Sequence, residues 1–389
     1  MTIDHDAVLR ARVLLLGSGR LGPEELAGAY RVLAEVSPKV YGPKLVGTLL
    51  TLCNHSRDPR VKVELAAEAV RAARVAEAGA PERVEWLCRA LEAYQASLFA
   101  LGRRAEGRAV CEELAGAGRS GQLATVLAEE GCFGEAAALY EVAARKGAPE
   151  DSFWEMVRWA ASLEGAGLHD AAAAVFRELL AETRREVTDR GTGPLLLVWA
   201  LVQFARMREA VGDGASAAVA RREALGVLEQ LASATAGEAR RWYCSLGWWS
   251  TLFVLSGRAV EPAASPESPM PPFGTERGWS RDVREGFLGM LPGLEAEAAE
   301  LREAERLPEL VDVLRRISIR AAVRDGDHHY RFEERFAPRF DEGVTLARRL
   351  PDDPARLARA LTDRSMFLVA ARSFDRAHAD LAETAALLD

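Results

Sequence analysis

The residues most able to do chemistry in this 389-residue chain fall in four places. Gly17-Ser18-Gly19-Arg20-Leu21-Gly22 formally matches GxGxxG, which closes a backbone on a pyrophosphate when it follows a strand and opens a helix. The context here is different. Gly22-Pro23-Glu24-Glu25 reads as one helix ending and another starting, with proline in the first turn and acids at the N-terminal dipole. Asp325-Gly326-Asp327-His328-His329-Tyr330-Arg331-Phe332-Glu333-Glu334 is the densest group of metal-ligand types. On a helix His329 and Glu333 share a face, with Asp325 or Asp327 reaching back from the turn. No distant histidine supplies a third ligand, because His5, His55, His169 and His378 are isolated, so a polar turn that caps the next helix is the preferred reading. Trp242, Tyr243, Trp248, Trp249 and Phe253 form the third group, three of them on one stripe at i, i+7 and i+11. Such a cluster either seals a junction between helical layers or forms a partner or ligand pocket, since Trp and Tyr dominate binding hot spots. The fourth group is five cysteines, Cys53, Cys88, Cys111, Cys132 and Cys244, odd in number and without CxxC. That pattern predicts buried or half-buried helical thiols in a reducing cytoplasm, not a disulfide framework or zinc module.

None of the nucleophile or metal-hydrolase motifs GxSxG and HExxH occurs, nor does the P-loop pattern GxxxxGK[ST]. Carboxylate pairs such as Glu129-Glu130 and Asp352-Asp353 read as solvent faces and helix starts. The expectation is a protein that is not an enzyme and carries no metal or cofactor. Fifty basic residues against fifty-eight acidic give a net charge of −8, without a clustered basic patch, which disfavours nucleic-acid binding. The acidic N-terminus and the short apolar run Val13 to Leu16 do not make a secretory signal. Nothing approaches the ~18 continuous apolar residues of a membrane span, so a cytoplasmic location without membrane contact is expected.

The elements that must position any site are helices. Apolar residues recur at three- and four-residue spacing, as in Leu87, Leu91, Tyr94, Leu98 and Leu101, while alternating strand-like runs are almost absent. Gly102, Gly131, Gly167 and Gly212 each close a helix, and five residues later a small residue follows: Gly107, Ala136, Ala172, Ala217. Small residues belong there because antiparallel helices joined by a tight turn approach closely only where one lacks a bulky side chain. A larger residue recurs one turn on, at Cys111, Tyr140, Phe176 and Arg221.

On these residues the chain resembles the tetratricopeptide repeat family. The stretches Leu123 to Ala143, with Pro149 after the second helix, and Trp159 to Phe176 carry the likeness best. Pro354 to Leu361 leading to Phe374-Asp375-Arg376-Ala377 looks like the longer-period variety common in actinobacterial proteins. The resemblance implies an all-α, TPR-like right-handed α-solenoid of antiparallel helical hairpins whose concave groove, lined by the first helix of each pair, binds a peptide or helix. Glu155, Arg158, Gln203 and Arg206, polar residues in otherwise apolar first helices, would then face the partner, with Trp242, Trp248 and Trp249 as a second contact surface. The Lys and Asn pattern of a carboxylate clamp is not present.

Five prolines between Arg258 and Gly278 exclude a helix there. The expected organisation is a helical repeat domain at 1–257, a proline-rich linker or loop at 258–279 and a C-terminal helical block at 280–389, with a PxxP recognition peptide as the other reading of the middle segment. The last helix presents Leu381, Ala385 and Leu388, a face covered by folding back or by homodimerisation. Two functions follow: a scaffold or adaptor with a protein or peptide partner, or a regulatory sensor closing around a peptide or small ligand.

Overall fold

The computed structural model describes residues 4–17, 21–75, 81–146, 149–191, 193–233, 260–272, 278–325 and 332–389. Among them no strand occurs, and the chain is all-α with a TPR-like succession of helical hairpins. The helices are α1 (His5–Leu16), α2 (Pro23–Val36), α3 (Pro38–His55), α4 (Pro59–Val75), α5 (Pro81–Ala100), α6 (Arg104–Gly116) and α7 (Gly121–Glu129). There follow α8 (Phe133–Lys146), α9 (Pro149–Gly165), α10 (His169–Arg190), α11 (Pro194–Ala210) and α12 (Gly214–Ser233). After the proline-rich segment come α13 (Arg281–Gly289), α14 (Leu291–Glu303), α15 (Leu307–Asp325), α16 (Phe332–Ala347), α17 (Pro354–Ala370) and α18 (Phe374–Leu388). Seven of these helices start on proline, whose fixed φ and missing N–H suit the first helical position. No helix is long and apolar enough to cross a membrane, among the described residues.

One backbone device makes most of the turns. Gly102, Gly131, Gly167 and Gly212 have φ of 69°, 79°, 78° and 78°, the left-handed conformation that ends a helix. In each, the next N–H bonds back to a carbonyl five residues earlier: Arg103 to Leu98, Cys132 to Leu127, Leu168 to Leu163 and Asp213 to Arg208, at 2.8–3.0 Å. The same bond closes Leu114 to Arg119, Leu301 to Arg306 and Leu368 to Ser373. In the last two the left-handed residue is Glu305 or Arg372, which is why a glycine-based alignment does not find those turns. A non-glycine residue costs about 1–2 kcal/mol there. After allowing for the extra backbone entropy of glycine, Glu305→Gly is expected to raise stability by about 0.5–1 kcal/mol, read as a higher Tm.

The small residues after each turn are buried as expected: Ala136, Ala172 and Ala217 are fully enclosed, and a Cβ at Gly107 would lie 2.8 Å from the Phe99 ring. The larger residues one turn on, Cys111, Tyr140, Phe176 and Arg221, are buried too. The repeat period also shows on the surface. Arg31–Glu68, Arg74–Glu113, Arg184–Glu223 and Arg302–Glu342 each join an even-numbered helix to the next even-numbered one, and Arg348, in the turn just past α16, joins Glu383 of α18, all at 2.6–2.7 Å. Being exposed, each pair contributes at most about 1 kcal/mol.

The chain divides into two compact units, Met1–Val126 with Ser280–Asp282, and Leu127–Trp279 with Val283–Asp389. The division falls within α7. The first unit buries Leu45, Leu49, Val70, Leu91, Leu98 and Leu114 between α3 and α6, and a smaller cluster of Val8, Ala11, Ala29 and Leu33 between α1 and α2. Gly17 ends α1 and Gly22 starts α2, its N–H bonded to the Glu25 carboxylate at 2.9 Å, the helix-end and helix-start reading of the GxGxxG stretch. Cys53, Cys88 and Cys111 are buried thiols and Cys132 is half-buried; Cys244 lies outside the described residues. Burial pushes the Cys88 thiol up from its ordinary value.

In the second unit α14 and α15 close over Leu291, Leu294, Leu310 and Ile317, while α18 packs against both α17 and α12. Leu381 and Ala385 are thereby buried and only Leu388 stays exposed, so the apolar face of the last helix is covered within the unit. Asp213 caps α12, its carboxylate accepting from the Ser216 N–H at 3.1 Å and from Arg208 at 2.8 Å. The Ser216 hydroxyl and N–H, and then Arg208, hold its carboxyl at about 2 against an ordinary 3.8. A lowered carboxyl stabilises the fold fully above its unfolded value and loses that contribution as pH falls through the folded one. The stability gap between the wild type and Asp213→Asn is therefore expected to shrink as pH falls from about 5 towards 2, measured by urea unfolding.

Candidate functional site

The proline-rich segment, at residues 260–272, is non-helical as its prolines require, yet it is built into the second unit. The Glu261 carboxylate receives both terminal nitrogens of Arg320 at 2.6 and 2.9 Å, and Arg316 approaches it at 3.5 Å. Arg320 is fully buried. Its Nε donates to the Phe287 carbonyl at 3.0 Å, and its guanidinium lies 3.9 Å from the centroid of the Phe287 ring. Further along, Ser265 and Ser268 exchange backbone hydrogen bonds in a tight turn, and the Met270 N–H donates to the Glu129 carbonyl at 2.9 Å. The Ala264 carbonyl comes so close to Gly131 that a Cβ there would meet it at 2.5 Å. Glu129 and Glu130 are both buried, which overturns the solvent-face reading of that pair: the segment crosses the end of α7 and removes it from water.

The polar residues expected on α9 and α11 form two pairs. Arg158 donates to Glu155 at 2.8 Å one turn away on α9, and its Nη2 lies 3.5 Å from where a Cβ on Gly278 would be. On α11, Gln203 is buried; its side-chain oxygen accepts from Arg206 Nε at 3.1 Å, while Arg206 Nη2 reaches Glu164 of α9 at 3.3 Å. The structure thus brings Gln203, Arg206 and Glu164 together and joins Glu155 to Arg158 separately. Trp242, Trp248 and Trp249 lie outside the described residues. So do residues 326–331 of the His-rich stretch. Among the described residues no three His, Cys, Asp or Glu side chains gather to hold a metal.

Several features had no clear sequence signal. Trp199 is buried against Phe153, Trp154 and Phe176, with ring centroids 5.9, 5.9 and 6.2 Å away. The signal available was α11 itself, apolar on every side from Leu195 to Val202, as a central helix must be. Arg221, at the repeat position filled elsewhere by Tyr140 or Phe176, is buried between the carboxylates of Glu209 and Asp389. Helices α11, α12, α17 and α18 border a cavity of ≈ 440 Å³, into which Gln203 and Arg206 face together with Arg359 and Met366.

No protein-family model matches the chain, and no curated protein matches it. Among solved structures it is similar to a human IFIT1 dimer with PPP-AAAA, at 14% identity and a TM-score of 0.28, over 88% of this chain and 77% of that one. So distant a likeness adds nothing to the functional reading, which rests on the chain's own residues.

Proposed function

We propose that the chain is a non-enzymatic scaffold or adaptor whose second unit binds a peptide or helix of a partner protein. The supporting observation is the way this unit holds residues 260–272. Its helices already take a non-helical, proline-rich stretch by one backbone hydrogen bond, a buried ion pair and a glycine-floored contact, the same physics by which helical repeats take a foreign peptide. A partner segment would lie along α9 and α11, where Glu155, Arg158 and Arg206 keep part of their side chains in water and offer charges of both signs.

The test is a display selection of peptides on the full chain, followed by affinity measurements of the enriched sequences. Reversing both charges, Arg158→Glu with Arg206→Glu, is expected to weaken binding at least about tenfold, roughly 1.4 kcal/mol, while the circular dichroism spectrum stays unchanged. Unchanged affinity in a folded double variant contradicts the reading.

A further inference from the structure

We propose that the cavity bordered by α11, α12, α17 and α18 binds an aliphatic chain ending in a carboxylate. At ≈ 440 Å³ it falls in the range of small-molecule sites, and its walls are mostly apolar, with Val202, Met366 and Leu381 among them. The apolar side chains described in its lining, Val260 and Leu388 included, are aliphatic, and they match an aliphatic body.

The charges select the head group. The two acids in the lining are already committed: Glu209 to Arg221, and Asp363 to Arg315, whose Nε lies 2.5 Å away. Arg206 and Arg359 are not neutralised to the same degree. Arg206 is fixed through Nε by Gln203 and through Nη2, loosely, by Glu164, which leaves its Nη1 donors for a ligand. Arg359 meets its nearest acid, Asp312, only at 3.8 Å, beyond hydrogen-bond reach, and its side chain is 40% exposed. Two guanidinium groups with donors to spare among the described residues, beside an apolar cavity, complement a carboxylate on an aliphatic chain, because the planar fork matches that anion. The same chemistry comes from a free aliphatic acid or from the C-terminus of a peptide ending in aliphatic residues.

Titration calorimetry of the full chain separates these sources. One arm uses octanoate against octanamide; the other uses acetyl-Leu-Leu-Leu with a free carboxylate against its C-terminal amide. The expected result is saturable binding of the carboxylate in at least one arm, with the matching amide at least about tenfold weaker. Arg359→Gln is expected to abolish that preference and Arg359→Lys to restore part of it. Arg206 serves both readings, whereas Arg359 belongs to the cavity alone and Arg158 to the peptide surface alone, so the single variants Arg359→Gln and Arg158→Glu keep the two failures distinguishable. Equal binding of carboxylate and amide, no saturable binding in either arm, or an unchanged preference in a folded Arg359→Gln variant overturns the proposal.

Discussion

Arg320→Ala is expected to lower the free energy of unfolding by about 3–5 kcal/mol, because it leaves the Glu261 carboxylate in a buried site with only the longer Arg316 contact, at 3.5 Å. The wild-type guanidinium has acceptors on three sides, Glu261, the Phe287 carbonyl and the Arg316 carbonyl at 3.3 Å, and it rests on an aromatic face. Arg320 itself is 0% exposed. Removing both charges together, as in Arg320→Met with Glu261→Gln, is expected to cost clearly less than Arg320→Ala, because the buried carboxylate is neutralised along with its main partner and only the longer Arg316 contact, at 3.5 Å, is lost besides. Urea unfolding of the three proteins checks this order. Limited proteolysis adds a local readout: cleavage between residues 260 and 272 should accelerate in Arg320→Ala before the rest of the chain opens.

Trp199→Ala is expected to be equally severe, at about 3–5 kcal/mol, the range for emptying a buried aromatic site. Trp199 sits where α9, α10 and α11 meet, so the cavity opens against Phe153, Trp154 and Phe176 at once. Its indole N–H is buried and makes no hydrogen bond. A ring without that donor therefore loses volume but no polar contact, and Trp199→Phe is expected to cost much less than Trp199→Ala. Thermal unfolding of the two variants distinguishes this from a role for the indole nitrogen, which would make both substitutions similarly costly.

The helical hairpins were legible because their causes are local. Glycine at a left-handed turn, a small residue five positions on and proline at a helix start act over a few residues, and at Gly102, Gly131, Gly167 and Gly212 the turns form as their spacing predicts. Where a turn uses Glu305 or Arg372 the signal vanishes, because the conformation is imposed by the packing of the flanking helices and not by the residue. The proline-rich segment shows a different limit. Five prolines exclude a helix, but nothing around Glu261 announces that its partner is Arg320, 59 residues away and enclosed by α13 and α15. The cavity was half legible. Gln203 and Arg206 stand out as polar residues in an apolar helix, whereas Arg359 and Met366, on a helix that looks ordinarily amphipathic, join them only through the packing of α17 and α18.

The buried charges hold the fold, and the exposed parts of Glu155, Arg158 and Arg206 are the surface proposed for recognition. The most direct measurement of that claim is hydrogen–deuterium exchange of the full chain with and without a peptide from the display selection. Slowed exchange is expected in 149–165 and 194–210, and its loss in the Arg158→Glu, Arg206→Glu double variant. Protection confined to other helices, with both of these unaffected at saturating peptide, would contradict it.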